Sequence, residues 1–317
     1  MNILLLFGIS ILPGIFLLWY YNRYDKKRPE PKQLLWKIFK WGLLMTFIAG
    51  VIEQNLFVFV PSFIEHEFVQ AFLIAFVFVA LIEEGLKLML VKDMVLKNKH
   101  FDEVMDGIIY TIVASLGFAT LENLFYVFDG GIEIGVARAV LAVPAHALFS
   151  GIMGYYIGKA RMAKTPWDGR SFMWIGFLIA VMYHGLYDFF LMTNTSLAFL
   201  IIPLLVLMFF HLQYLIKKAH FEDGITKQEP IPWDLKRLLR LAFGLGLVIF
   251  GIFYGVGIKT MIDAGQYQSV DVLASVLVYV PVLGGIFWAF RRHLLPKSQF
   301  EKEKKIKEDV KRAQLKG

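Results

Sequence analysis

Residues 68–91 read FVQAFLIAFVFVALIEEGLKLMLV, an apolar run whose only charges are Glu83, Glu84 and Lys87. At 1.5 Å per residue, a helix of this length crosses the roughly 30 Å hydrocarbon layer of a bilayer. A charged side chain near the centre of that layer costs about 2.5 to 3.5 kcal/mol on insertion scales, so chains keep one where it has partners and a use. Two adjacent acids with one lysine leave a net charge in the apolar layer, which packing alone does not explain.

The rest of the chain has the same character. Of its 317 residues 57% are hydrophobic and 16% aromatic, and only 19% are charged, more apolar surface than one soluble core can bury. The pattern predicts an all-helical, polytopic membrane bundle of about nine spans. They fall near Ile3 to Tyr21, Ile38 to Val60, Phe68 to Val91, Gly107 to Phe128, Gly135 to Ile157, Phe172 to Met192, Leu197 to Ile216, Leu238 to Met261 and Val270 to Phe290. The expected organisation is two N-terminal spans (1–67), a four-helix core (68–193), three accessory spans (194–295) and a charged tail (296–317). Nothing before the first span resembles the basic flank of a signal peptide, so that span reads as a retained helix.

The connecting loops alternate in charge. Arg23 to Lys40, Lys92 to Lys99, Lys159 to Arg170, Lys217 to Arg240 and the stretch from Arg291 are basic, whereas Asp129 to Glu133 and Asp263 to Asp271 are acidic. The positive-inside rule then places the N-terminus outside and the C-terminus in the cytoplasm of a multi-pass plasma-membrane protein. The net charge of +7 therefore reflects topology, and nucleic acid is not an expected partner. With no cysteine, thiol nucleophiles, disulfides and thiolate metal sites are excluded.

The intramembrane polar residues concentrate in spans three to six. Glu83 and Lys87 lie four apart on one helix face, with Glu84 three before Lys87. Thr111, Ser115, Phe118, Glu122 and Tyr126 draw a mostly polar stripe along the next span. His146 and Ser150, then His184 and Asp188, form further pairs at helical spacing. Counting residues from the flanking loops puts Glu83, His146 and His184 within about 5 Å of their spans' midpoints, so three helices can bring them into one layer. Each has a plainer reading. A membrane histidine can be a packing residue, Asp188 can fix a helix end, and Ser150 can bond its own backbone. Arg138 and Asp106 sit at span ends, where snorkelling accounts for them, and Glu53 is expected to face the outer headgroups.

Four strings carry a resemblance: Glu83-Glu84-Gly85-Leu86-Lys87, Phe118-Ala119-Thr120-Leu121-Glu122-Asn123, Pro144-Ala145-His146-Ala147-Leu148-Phe149-Ser150 and His184-Gly185-Leu186-Tyr187-Asp188. In this order they resemble the motifs of PrsW-type intramembrane proteases, within the superfamily of CAAX prenyl proteases and bacteriocin-processing enzymes. The likeness covers roughly 68–192. It implies a peptidase in which Glu83 activates water beside Glu84, His146 holds that water or shuttles its proton, and His184 with Asp188 stabilises the oxyanion. Lys87, Glu122, Asn123 and Ser150 would line the supporting polar cavity. The implied substrate is a membrane-anchored protein similar to a single-span anti-sigma factor. Prenyl proteases carry an arginine later than the position of Lys87, so prenylated substrates are not expected.

No cofactor is expected, because no His-Glu-x-x-His helix occurs; a zinc ion, if present, would take Glu83, His146 and His184. The main alternative is a proton- or ion-coupled transporter using the same buried acids and histidines. A rhomboid-like serine protease would need Ser150 in a Gly-x-Ser setting, and an aspartyl protease a Gly-x-Gly-Asp motif; the chain has neither there.

Overall fold

The computed structural model describes residues 3–57, 66–193 and 195–230, and every regular element in them is helical. Helix α1 is Ile3–Asn22 and α2 is Lys32–Phe57. The span expected at 68–91 is built of three successive pieces: α3 (Glu67–Leu73), a π-helical segment (Ile74–Ala80) and α4 (Leu81–Met94). Then come α5 (Val104–Val140), α6 (Ala142–Arg161), α7 (Pro166–Met192), a 3-10 turn (Ser196–Leu200) and α8 (Ile201–Glu222). The eighth and ninth expected spans and the charged tail lie outside the described residues.

By length and apolarity, five stretches among the described residues are candidate crossings: Ile3–Asn22, Lys32–Phe57, Val104–Arg161, Pro166–Met192 and Ser196–Glu222. The third runs for 58 residues, far beyond the roughly 20 that one crossing needs. It contains a reversal at Gly131, whose φ of +78° is a conformation that side chains disfavour. The loop expected at Asp129 to Glu133 is thus reduced to a single non-helical glycine, and helix continues on both sides of it.

Glycines set how closely the two legs of this hairpin pack. A Cβ on Gly107 would sit 2.4 Å from the Gly154 carbonyl oxygen, and one on Gly158 would sit 2.3 Å from that of Val104. Gly154 and Gly158 form a Gly-x-x-x-Gly pair, which lets membrane helices approach backbone to backbone. Gly42 of α2 lies as close to Ala114, and Gly117 lies against Phe39. The apolar window of this hairpin is 94% buried, against 17% for α1 and 22% for α2. Helices α5 and α6 therefore form the centre. Leu4, Phe16 and Trp19 of α1 and Phe47 of α2 are exposed, as lipid-facing side chains are.

At one end of the bundle, Thr165 caps α7 by accepting from the Asp168 amide at 3.1 Å, with Pro166 at the first helical position. The α5 N-terminus is capped twice. Asp106 accepts from the amides of Asp102 and Glu103, and Asp223 from those of Val104 and Met105. Asp106 is 1% exposed, so it does not snorkel as its position near a span end had implied.

Candidate active site

The acid pair sits on the first turn of α4, directly after the π-helical segment. That segment packs on α7, where Gly185 leaves room for the Phe76 ring; a Cβ there would lie 2.3 Å from it. The contact holds His184, the neighbour of Gly185, opposite the acids. The hairpin supplies the other wall, with Glu122 on α5 and His146 and Ser150 on α6.

Glu84 is fully enclosed and saturated. Lys87 Nζ donates to its Oε1 at 2.7 Å, Ser150 Oγ donates to its Oε2 at 3.0 Å, and His184 Nδ1 lies 3.1 Å from Oε1. Lys87 also reaches Glu83 Oε2 and His146 Nδ1, each at 3.1 Å, with its ammonium 4.3 Å from the Phe118 ring centroid. An ammonium only donates, so His146 Nδ1 accepts and the ring proton sits on Nε2, 2.8 Å from Glu122 Oε2. Ser115 fixes α6 at this level by donating to the His146 carbonyl at 2.8 Å.

Glu83 differs from its neighbour. It has one ion pair, with Lys87, and His184 Nε2 stands 4.0 Å away. Its carboxylate lines a cavity of about 630 Å³ bounded by α2, α4, α5, α6 and α7, a volume typical of small-ligand pockets. Glu122, His146, His184 and Asp188 share that lining, whereas Glu84, Lys87 and Ser150 stand behind it. Asn123 is also outside it, bonding the carbonyls of Ile9 and Ser10 on α1 and accepting from Arg138 at 3.2 Å. His184 bridges the layers: Nδ1 faces Glu84, Nε2 is 3.2 Å from Asp188 Oδ2, and the ring stacks on Phe149 at 4.4 Å.

All five expected acids and histidines are thus gathered in one place. Two further residues join them that the sequence had assigned elsewhere. Glu53 lines the cavity from α2 instead of facing headgroups. Arg138 turns inward to Glu122 Oε1 at 2.9 Å and lies over the Tyr126 ring at 3.9 Å, so it is not snorkelling. The missed signal was pairing: an arginine within an apolar stretch needs an acid, and Glu122 was otherwise uncompensated. Glu53 Oε1, Glu122 Oε2, Arg138 Nη2 and Asp188 Oδ2 are buried and make no aligned hydrogen bond. Three of these have ion-pair partners within 3.2 Å, which leaves Glu53 Oε1 as the buried cavity-lining oxygen available to a polar ligand.

Around the cavity, among the described residues, two three-residue sets bring possible metal-donor atoms within 4.8 Å of one another: Glu83, Glu84 and His184, and Glu83, Glu122 and His146. The two histidines fall in different sets, so the expected trio of Glu83, His146 and His184 is not one of them. The first set is engaged by Lys87 and Ser150. The second fits an ion better, since Glu83, Glu122 and His146 all line the cavity.

Comparison with known proteins places this geometry. Residues 30–215 match the family model described as PrsW family intramembrane metalloprotease. The chain is 38% identical over 189 residues to Protease PrsW of Geobacillus kaustophilus, covering 60% of this chain and 80% of that protein. It is 35% identical over 214 residues to that of Bacillus subtilis (66% and 93%) and 32% identical over 206 residues to that of Clostridioides difficile (64% and 85%). No solved structure matches.

Proposed function

The chain belongs to the PrsW family and is an intramembrane protease, and from that premise we propose that it cleaves a membrane-anchored protein with a water activated by Glu83. The observation that carries this reading is the asymmetry of the acid pair. Glu83 opens on the cavity with one ion pair, while Glu84 is held by three side chains behind it.

The chemistry follows from these positions. A water beside Glu83 gives up a proton to the carboxylate as its oxygen attacks the scissile carbonyl carbon. His184, with a carboxylate oxygen near each ring nitrogen, presents Nε2 toward the cavity as the donor for the developing oxyanion. Arg138, which lines the cavity and is held by Glu122 Oε1, is a second cation beside the reacting carbonyl. His146, held neutral between Lys87 and Glu122, orients the water and relays its proton to the leaving nitrogen. Glu84 positions Lys87 and His184.

Glu83, Glu122 and His146 would hold a catalytic metal ion, which, when bound, would lower the pKa of its water and polarise the carbonyl. The proposed topology follows the loop charges, with the N-terminus outside.

The test is cleavage of a single-span membrane substrate by purified protein in liposomes, wild type against Glu83→Gln, with and without a strong chelator. Loss of hydrolysis in the variant with insertion intact supports the proposal. Full activity in Glu83→Gln refutes it. Chelator inhibition reversed by zinc would assign water activation to a metal, against the metal-free form expected from the sequence.

A further inference from the structure

A second group of buried acids lies at the N-terminal end of α5, outside the peptidase cavity. We propose that Asp25, Glu103 and Asp106 form a binding site for a hard divalent cation, Mg²⁺ or Ca²⁺. The three residues are 2%, 2% and 1% exposed, and each offers a carboxylate oxygen within 4.8 Å of the others. Two oxygens on opposite sides of a Ca²⁺ ion, each at about 2.3 to 2.6 Å, stand about 4.6 to 5.2 Å apart, so this spread suits one ion. The donors are all carboxylate oxygens, the chemistry that selects hard cations over zinc or copper.

Capping explains only part of the cluster. Asp106 Oδ2 accepts the Asp102 and Glu103 amides, and Asp223 accepts those of Val104 and Met105. Asp106 also shares a side-chain hydrogen bond with Glu30, which leaves Glu103 Oε2 buried with no hydrogen-bond partner. Arg28 pairs with the other oxygen of Glu103, but its side chain is 60% exposed and shields little. Glu30 adds another acid; it accepts the Tyr110 hydroxyl, and its amide donates to Asp25 Oδ2 at 3.2 Å. Asp25, Glu30, Glu103, Asp106 and Asp223 thus share one ion-paired arginine. An uncompensated buried carboxylate is costly, and a cation relieves several at once.

Such an ion would fasten the α1–α2 connection, through Asp25, to the first turn of α5. Glu122 lies sixteen residues further along that helix, about 24 Å away, so the ion would act on the scaffold and not on the peptide bond.

The test uses detergent-purified full-length protein stripped of metal. Mg²⁺ and Ca²⁺ are titrated separately by calorimetry, and melting is followed by circular dichroism. The wild type and Glu83→Gln should bind one hard cation saturably and melt at higher temperature in its presence. Asp25→Asn and Glu103→Gln should keep their helical content while the affinity falls about 10-fold or more. Should Asp25→Asn not fold, Glu103→Gln decides alone. No saturable binding to wild type at millimolar concentration overturns the proposal, as does unchanged affinity in Glu103→Gln. Binding lost in Glu83→Gln and kept in Asp25→Asn would assign the ion to the cavity and overturn it equally.

Discussion

The peptidase cavity and the α5 N-terminal cluster each gather five buried or half-buried acids, but they balance them differently. In the cavity Glu53, Glu83, Glu84, Glu122 and Asp188 are interleaved with Lys87, Arg138, His146 and His184, which divides them into a saturated rear layer and an open front layer. At the α5 end, the corresponding acids have Arg28 and backbone amides. Internal cations let a carboxylate be held in place while one neighbour stays reactive. Amides alone hold carboxylates in place but leave their charge for something else to neutralise.

The sharpest way to break this comparison is Glu83→Gln. It keeps the side-chain volume and removes the proton acceptor, so turnover should fall by about 100- to 10,000-fold while melting temperature changes little. The adjacent Glu84→Gln should show the reverse balance. It removes charge from a buried group bound by Lys87, Ser150 and His184, and breaking such a pair costs about 3 to 5 kcal/mol. Thermal melting should therefore separate the two acids, and equal destabilisation by both would erase the front and rear layers.

His184→Ala should cost about 100- to 1,000-fold in turnover at saturating substrate, the usual loss of one oxyanion donor. Near-normal cleavage would reduce it to a stacking partner of Phe149. Gly154→Ala should cost about 1 to 3 kcal/mol by forcing the hairpin legs apart, read by melting in detergent. The smallest effect is expected at the other cluster: Asp25→Asn should leave turnover within about two-fold of wild type in saturating Mg²⁺, given the roughly 24 Å to Glu122. A large loss there would mean the two regions are coupled.

Much of this was legible in the sequence because bilayer physics leaves few options. An apolar run must be helical, and an acid within it must have a partner; those two rules located α1, α2, α5 to α8 and the residues Glu83, His146, His184 and Asp188. What stayed hidden depends on neighbour order. Nothing in the spacing says that α2 packs against α5, which is what carries Glu53 to the cavity, or that Arg138 folds back over Tyr126 to reach Glu122. The acid cluster at α5 was hidden for the same reason, since Asp25 and Asp106 are far apart in the chain. The Gly131 reversal was read as a loop because Asp129 and Glu133 flank it, although one glycine suffices for the turn.

The π-helical segment at Ile74–Ala80 makes the winding of the helix itself a determinant of activity. Its bonds close one residue later than α-helical ones, so the segment accommodates an extra residue in the winding of the helix. Rewinding all seven residues as ordinary α-helix would turn everything before the segment by about 100° relative to Glu83, whereas deleting one residue would let the helix close as α with its two ends nearly in phase. A run rewound at full length would still be apolar and long enough to insert, so membrane fractionation would register nothing while Glu83 turned away from the cavity. Hydropathy is blind to this kind of lesion: the stretch works as a gauge of phase, and residues with no chemistry of their own decide which way Glu83 faces.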